Sequence, residues 1–138
     1  QKKAYIKLLD GMTFSGITDS GSWVMMDAAP ESGGRGGATK PKELLLLGLG
    51  GCTAMDVVSI LKKKRVDLKN FEVNIQTEMT EEHPQVFTKF NIEYVFYGNN
   101  IKPQDVERAI ELSQTKYCGV SAMYKSFAEI THTYRIVE

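Results

Sequence analysis

The chain carries two cysteines, Cys52 and Cys118, 66 positions apart, and no others. A thiolate is a strong nucleophile, a soft metal ligand and a reversible redox group, so a cysteine pair is the natural place to look for chemistry. Cys52 follows the run Leu44-Leu45-Leu46-Leu47-Gly48-Leu49-Gly50-Gly51, an apolar, helix-like stretch with glycines just before the thiol. Cys118 precedes Gly119-Val120-Ser121-Ala122-Met123 and is predicted near a helix start, where free backbone N–H groups favour a thiolate. The competing reading is that both are small buried hydrophobes, as cysteines commonly are.

The charges around Cys52 do not favour its ionisation. Asp56 stands one helical turn later on the same face and opposes a thiolate if it is close. Glu43, nine residues earlier, falls on the opposite helix face, and Lys42 points nearer the cysteine side. The cation expected to serve Cys52 is therefore Arg35, in the glycine-rich stretch Gly33-Gly34-Arg35-Gly36-Gly37, which otherwise reads as a solubilised loop. That stretch shares the composition of a phosphate loop without its order of residues. His83 and His132 each read as surface or satisfied core histidines. Together with the cysteines they offer a possible metal set, but none of the spacings is of the C-x-x-C or H-x-x-x-H kind.

These residues need a scaffold. Alternating apolar residues predict short strands at Ala4–Leu9, Met12–Thr18 and Ser22–Met26, with turns at Asp10-Gly11 and Asp19-Ser20-Gly21. The glycine-rich segment at 28–39 is expected to be a mobile flap within one domain. Thr39 or Lys40 caps a helix with Pro41 in its first turn, running to about Arg65. Its first half is apolar on every side, which predicts burial at the centre of an assembly. Its glycines each cost about 1 kcal/mol against alanine, so close approach of another backbone is expected there. Strands follow at Phe71–Met79 and Val86–Tyr97, and Pro103 opens a second helix with Val106, Ala109, Ile110 and Ser113 along its inner stripe. A short helix from Cys118 and a strand at Glu129–Val137 close the chain. The order predicts an α+β fold.

Bulk properties narrow the function. With 138 residues, 42% of them hydrophobic and 25% charged, the chain is long enough for its own core as a single domain spanning 1–138. Its net charge is zero, which gives a nucleic-acid or anionic-membrane partner no electrostatic support. No uninterrupted apolar run approaches the roughly 20 residues that span a bilayer. No secretory signal is read at the N-terminus, so the expected location is cytoplasmic, where a cysteine pair is more often redox-active than structural.

The stretch Thr39–Val58, with Gly50-Gly51-Cys52-Thr53-Ala54-Met55-Asp56 at its centre, resembles the first cysteine motif of the OsmC/Ohr family. Tyr117-Cys118-Gly119-Val120-Ser121 resembles the second, and the element order agrees over nearly the whole chain. The resemblance implies an OsmC-like fold: antiparallel sheets around a long central cysteine helix, in an intertwined homodimer. It further implies a cysteine-based peroxidase of the oxidative stress response that reduces organic hydroperoxides. Cys52 would be the peroxidatic and Cys118 the resolving thiol, with a dithiol or lipoyl-type reductant and no metal, flavin or other cofactor. The family's thiolate-holding arginine matches Arg35. Its glutamate lies ten residues before the cysteine in the peroxidase branches; Lys42 stands there in this sequence, with Glu43 beside it. That departure points to a less characterised branch and keeps a second reading in view, a non-catalytic module binding a small apolar ligand. A thiol acyl-transfer enzyme, the third reading, requires His83 or His132 beside a cysteine.

Overall fold

The computed structural model describes residues 1–138, which form two compact units, Gln1–Leu47 and Gly48–Glu138. The division falls inside a helix and not in the glycine-rich loop. In the first unit β1 (Ala4–Asp10), β2 (Thr13–Thr18) and β3 (Trp23–Met26) make an antiparallel meander. Both expected turns are present, and Gly11 and Gly21 take the positive φ values, 57° and 82°, that favour glycine there.

The glycine-rich segment, expected as a mobile flap, carries hydrogen bonds of its own. Pro30–Ser32 makes a 3₁₀ turn, Gly34 N donates to Ala29 O at 3.0 Å and Gly36 N to Ala28 O at 3.0 Å. The Asp27 carboxylate ties the loop shut, accepting from Ala28 N at 2.7 Å and from Gly37 N at 3.1 Å. These N–H donors, Ala28 first, hold its carboxyl below the usual range. Gly34 is sterically fixed: a Cβ there would lie 2.0 Å from Ala28 O.

After a 3₁₀ turn at Pro41–Glu43, α1 (Leu44–Lys63) runs for 20 residues. It stops two residues before Arg65, which takes a left-handed φ of 60°. Val66 N then donates to Leu61 O and Arg65 N to Lys62 O, each at 3.0 Å, closing the end in a Schellman motif with arginine in glycine's usual place. Leu49, Thr53, Val57 and Leu61, four residues apart, form the buried stripe. The rest of the helix is half-buried or exposed, with Leu47 62% and Met55 76% exposed. The absence of a bilayer-length apolar segment therefore needs correcting. Pro41–Lys63 is 23 residues and apolar enough to cross a membrane by length and composition, because the glycines and single polar residues that interrupt its apolar run dilute it little. Of the three helix glycines only Gly50 is crowded within the chain, by the Ile75 and Val73 side chains, whereas Gly48 and Gly51 face open space.

The second unit builds its core on β5 (Phe87–Tyr97), where Phe90, Ile92, Tyr94, Val95 and Phe96 are fully buried. It pairs antiparallel with β4 (Asn70–Met79) and parallel with β6 (Glu129–Val137), so the expectation of antiparallel sheets fails for this one pair. A parallel partner requires a crossover, and α2 (Pro103–Leu112) and α3 (Gly119–Tyr124) supply it. Between them Ser113–Tyr117 widens into a π turn, with Cys118 N donating to Ser113 O at 2.7 Å. Val106, Ala109, Ile110 and Ser113 are buried, the stripe read from the sequence.

Candidate functional site: two thiols and a carboxylate

α1 and the α2–α3 junction bring the two cysteines together. The sulfurs of Cys52 and Cys118 and a carboxylate oxygen of Asp56 all lie within 4.8 Å of one another. Both cysteines are unpaired thiols; Cys52 is half-buried and Cys118 buried. Cys118 caps α3 in an extended backbone conformation, and its Sγ accepts from Ser121 N at 3.3 Å. The π turn sets this geometry, because the extra residue in the turn places Cys118 just ahead of α3.

Cys52 sits in surroundings that keep it a thiol. Burial contributes most to pushing its pKa up, and the neighbouring Cys118 and Asp56 push the same way. One backbone hydrogen bond, to Val120, works against them. The opposition expected from Asp56 is thus real, since i and i+4 do meet on α1.

Beneath the thiols lies a buried polar chain. Thr53 Oγ1 is 2.7 Å from Tyr94 OH and 2.8 Å from Ser113 Oγ, and Gln114 Nε2 donates to Thr53 at 3.2 Å and to Tyr94 at 3.1 Å. Ser113 donates its one proton to Asp56 Oδ2 at 2.9 Å. With one proton per hydroxyl, the direction of the rest follows: Ser113 accepts from Thr53, and Thr53 accepts from Tyr94. The chain runs Tyr94 to Thr53 to Ser113 to Asp56 and ends on an anion, the arrangement in which each bond strengthens the next. Burial, the larger influence, drives the Tyr94 phenol pKa up. Two buried atoms beside these groups, Gln114 Oε1 and Ser121 Oγ, have no hydrogen-bond partner. Asp56 also lines a pocket of about 400 Å³ with Ile60, Lys63, Lys64, Leu112 and Tyr117.

The other predicted site residues have partners within the first unit. Arg35 pairs with Asp10, which holds the Asp10 carboxyl low and the guanidinium high. Glu43 Oε1 accepts from Lys40 N at 2.9 Å, capping the turn that leads into α1. His132 is exposed on β6, with its ring edge-on to Tyr94 at 6.2 Å between centroids. The cysteine cluster holds an aspartate and no histidine. Sequence reasoning missed Thr53, Tyr94 and Gln114. Thr53 did leave a signal, being the one polar residue in the Leu49–Leu61 stripe.

Comparison with known proteins bears on the family and the fold. The family described as "OsmC-like protein" matches residues 34–133. Protein YhfA of Escherichia coli K12 is 41% identical over 135 residues, covering 98% of each chain. A hypothetical protein from Aquifex aeolicus is similar in structure, with TM-score 0.81 and 31% identity over 100% of this chain and 98% of its own. An organic hydroperoxide resistance protein from Elizabethkingia anophelis shares the fold at TM-score 0.72, with 14% identity over 99% of this chain and 96% of its own.

Proposed function

The chain belongs to the OsmC-like family, and from that premise we propose that it is a thiol-dependent hydroperoxide reductase with Cys52 as peroxidatic and Cys118 as resolving cysteine. One observation carries the proposal: two sulfurs 66 positions apart in sequence lie within 4.8 Å of each other. The Cys52 thiolate attacks the peroxide O–O bond, the alcohol leaves, and Cys52 becomes a sulfenic acid. Cys118 condenses with it, releasing water, and a dithiol such as a lipoyl group reduces the resulting disulfide. The organic hydroperoxide resistance protein of similar fold supports this choice of substrate class. Cys52 is assigned the attack because it is the more exposed thiol.

A cytoplasmic homodimer completes the proposal. The open Leu47 and Met55 face of α1 and the exposed Tyr5, Ile6, Leu8 and Leu9 of β1 are apolar surface that a second copy would cover.

The test is a titration of the reduced protein with cumene hydroperoxide, following thiols and alcohol product. Wild type is expected to consume peroxide repeatedly when dithiol is supplied, Cys52→Ser none, and Cys118→Ser a single equivalent. Turnover by Cys52→Ser would refute the assignment. The surroundings that raise the Cys52 pKa favour a second reading, an inert thiol in a ligand-binding module. It would be established by a wild-type protein that leaves the peroxide untouched.

A further inference from the structure

We propose that Asp56 shuttles the proton in the step that closes the Cys52–Cys118 disulfide, an assignment that rests on the thiol reading above. A carboxylate beside a peroxidatic cysteine is a handicap in the first half of the reaction, because its charge opposes the thiolate. Yet three hydroxyls donating in series, from Tyr94 through Thr53 and Ser113, end on this carboxylate and hold it in place. The second half of the reaction gives such a carboxylate a use.

Cys118 is buried, so its proton has no direct route to bulk water, yet it must leave before the sulfur can attack. The Asp56 oxygen stands within 4.8 Å of both sulfurs, a span that a small rotation or one bridging water closes. The Cys118 thiol gives its proton to Asp56, and its sulfur electron pair forms the S–S bond to Cys52. The Cys52 S–O bond breaks with its electron pair on oxygen, and the proton held by Asp56 joins the departing hydroxide as water. Sulfenic acid plus thiol becomes disulfide plus water, and Asp56 ends as it began.

The two steps therefore respond to Asp56 with opposite sign. In a single-turnover experiment with cumene hydroperoxide, sulfenic acid is trapped with dimedone and disulfide is quantified by quenched alkylation and mass spectrometry. Asp56→Asn is expected to oxidise Cys52 at least as fast as wild type while closing the disulfide on the order of 100-fold more slowly, so sulfenic acid accumulates. Asp56→Ala is expected to regain closure in proportion to added formate, a rescue that a purely structural role would not give. Closure at the wild-type rate in Asp56→Asn, equal slowing of both steps, or no rescue by formate would each overturn the assignment and leave the peroxidase reading standing. If wild-type Cys52 is not oxidised at all, the reading and the shuttle fall together.

Discussion

Thr53→Val isolates the polar chain from the thiols it supports. Valine has nearly the shape of threonine, so the substitution removes a hydroxyl and little else. That hydroxyl makes three bonds, to Tyr94 OH at 2.7 Å, Ser113 Oγ at 2.8 Å and Gln114 Nε2 at 3.2 Å, its full complement of one donor and two acceptors. At a net ~1 kcal/mol each, their loss costs about 3 kcal/mol. One donor is stranded: Tyr94, which gave its proton to Thr53, keeps only Gln114 Nε2, itself a donor, at 3.1 Å, whereas Ser113 keeps Asp56 at 2.9 Å. That orphaned O–H adds about 1 kcal/mol, and the new buried methyl returns about 0.8 kcal/mol. The expected destabilisation is about 3 kcal/mol, or a Tm lower by roughly 10 °C in a chain of this size.

Urea unfolding at one fixed protein concentration measures it, since association with a second copy would shift the apparent stability. Tyr94→Phe removes the other end of the shortest of these bonds, so the pair should be non-additive. The double variant is expected to lose about 1 kcal/mol less than the two single losses combined. A Thr53→Val protein within about 0.5 kcal/mol of wild type, or strict additivity with Tyr94→Phe, would refute the claim that this hydroxyl is the hub of the chain.

Three other perturbations reach different parts of the molecule. Gly34→Ala must move the Ala28 carbonyl, 2.0 Å from the added Cβ, and is expected to cost at least about 2 kcal/mol in thermal or urea unfolding; a neutral result would mean that the loop repacks freely. Burial holds the Tyr94 phenol pKa above its usual value, so its contribution to stability is complete below pH about 10 and is lost as pH rises through the folded-state value. Stability of Tyr94→Phe should thus fall less steeply on the alkaline side, and an unchanged alkaline limb would contradict this. Arg35→Ala is expected to slow Cys52 oxidation at least tenfold if the arginine serves the thiolate, whereas an unchanged rate in the trapping assay would leave Arg35 only as the partner of Asp10.

How far the sequence reveals this arrangement depends on the range of the interactions. Period-two alternation located β4 and β6, and the 3.6-residue period found the α2 stripe, because both are local consequences of one face being buried. The parallel β5–β6 register, Phe90 opposite Ile130 and Tyr94 opposite Tyr134, is a pairing between distant segments that no local pattern encodes. Nor does Ser113–Tyr117 announce itself as a π turn, since its residues suit an α-helix equally well. Arg35 shows the converse limit: a cation among glycines advertises mobility, but its partner Asp10 lies 25 residues earlier.

Asp56 was legible in position and incomplete in meaning. Its spacing from Cys52 gave the opposing charge correctly, but the benefit appears only when Cys118 arrives from another segment. The same holds for Thr53, whose presence in an apolar stripe makes sense once Tyr94 and Ser113 are seen to meet it. Through Thr53, β5 and the end of α2 are joined to the helix turn that carries Cys52. The residue after Ser113, Gln114, is held in turn by Lys125 Nζ, which donates to its carbonyl at 2.7 Å just beyond α3. The two sulfurs are thus held near each other by hydroxyls and amides belonging to neither cysteine. For that reason Thr53→Val should loosen their encounter while leaving both thiols chemically intact, and slower disulfide closure at an unchanged rate of Cys52 oxidation is the behaviour that follows.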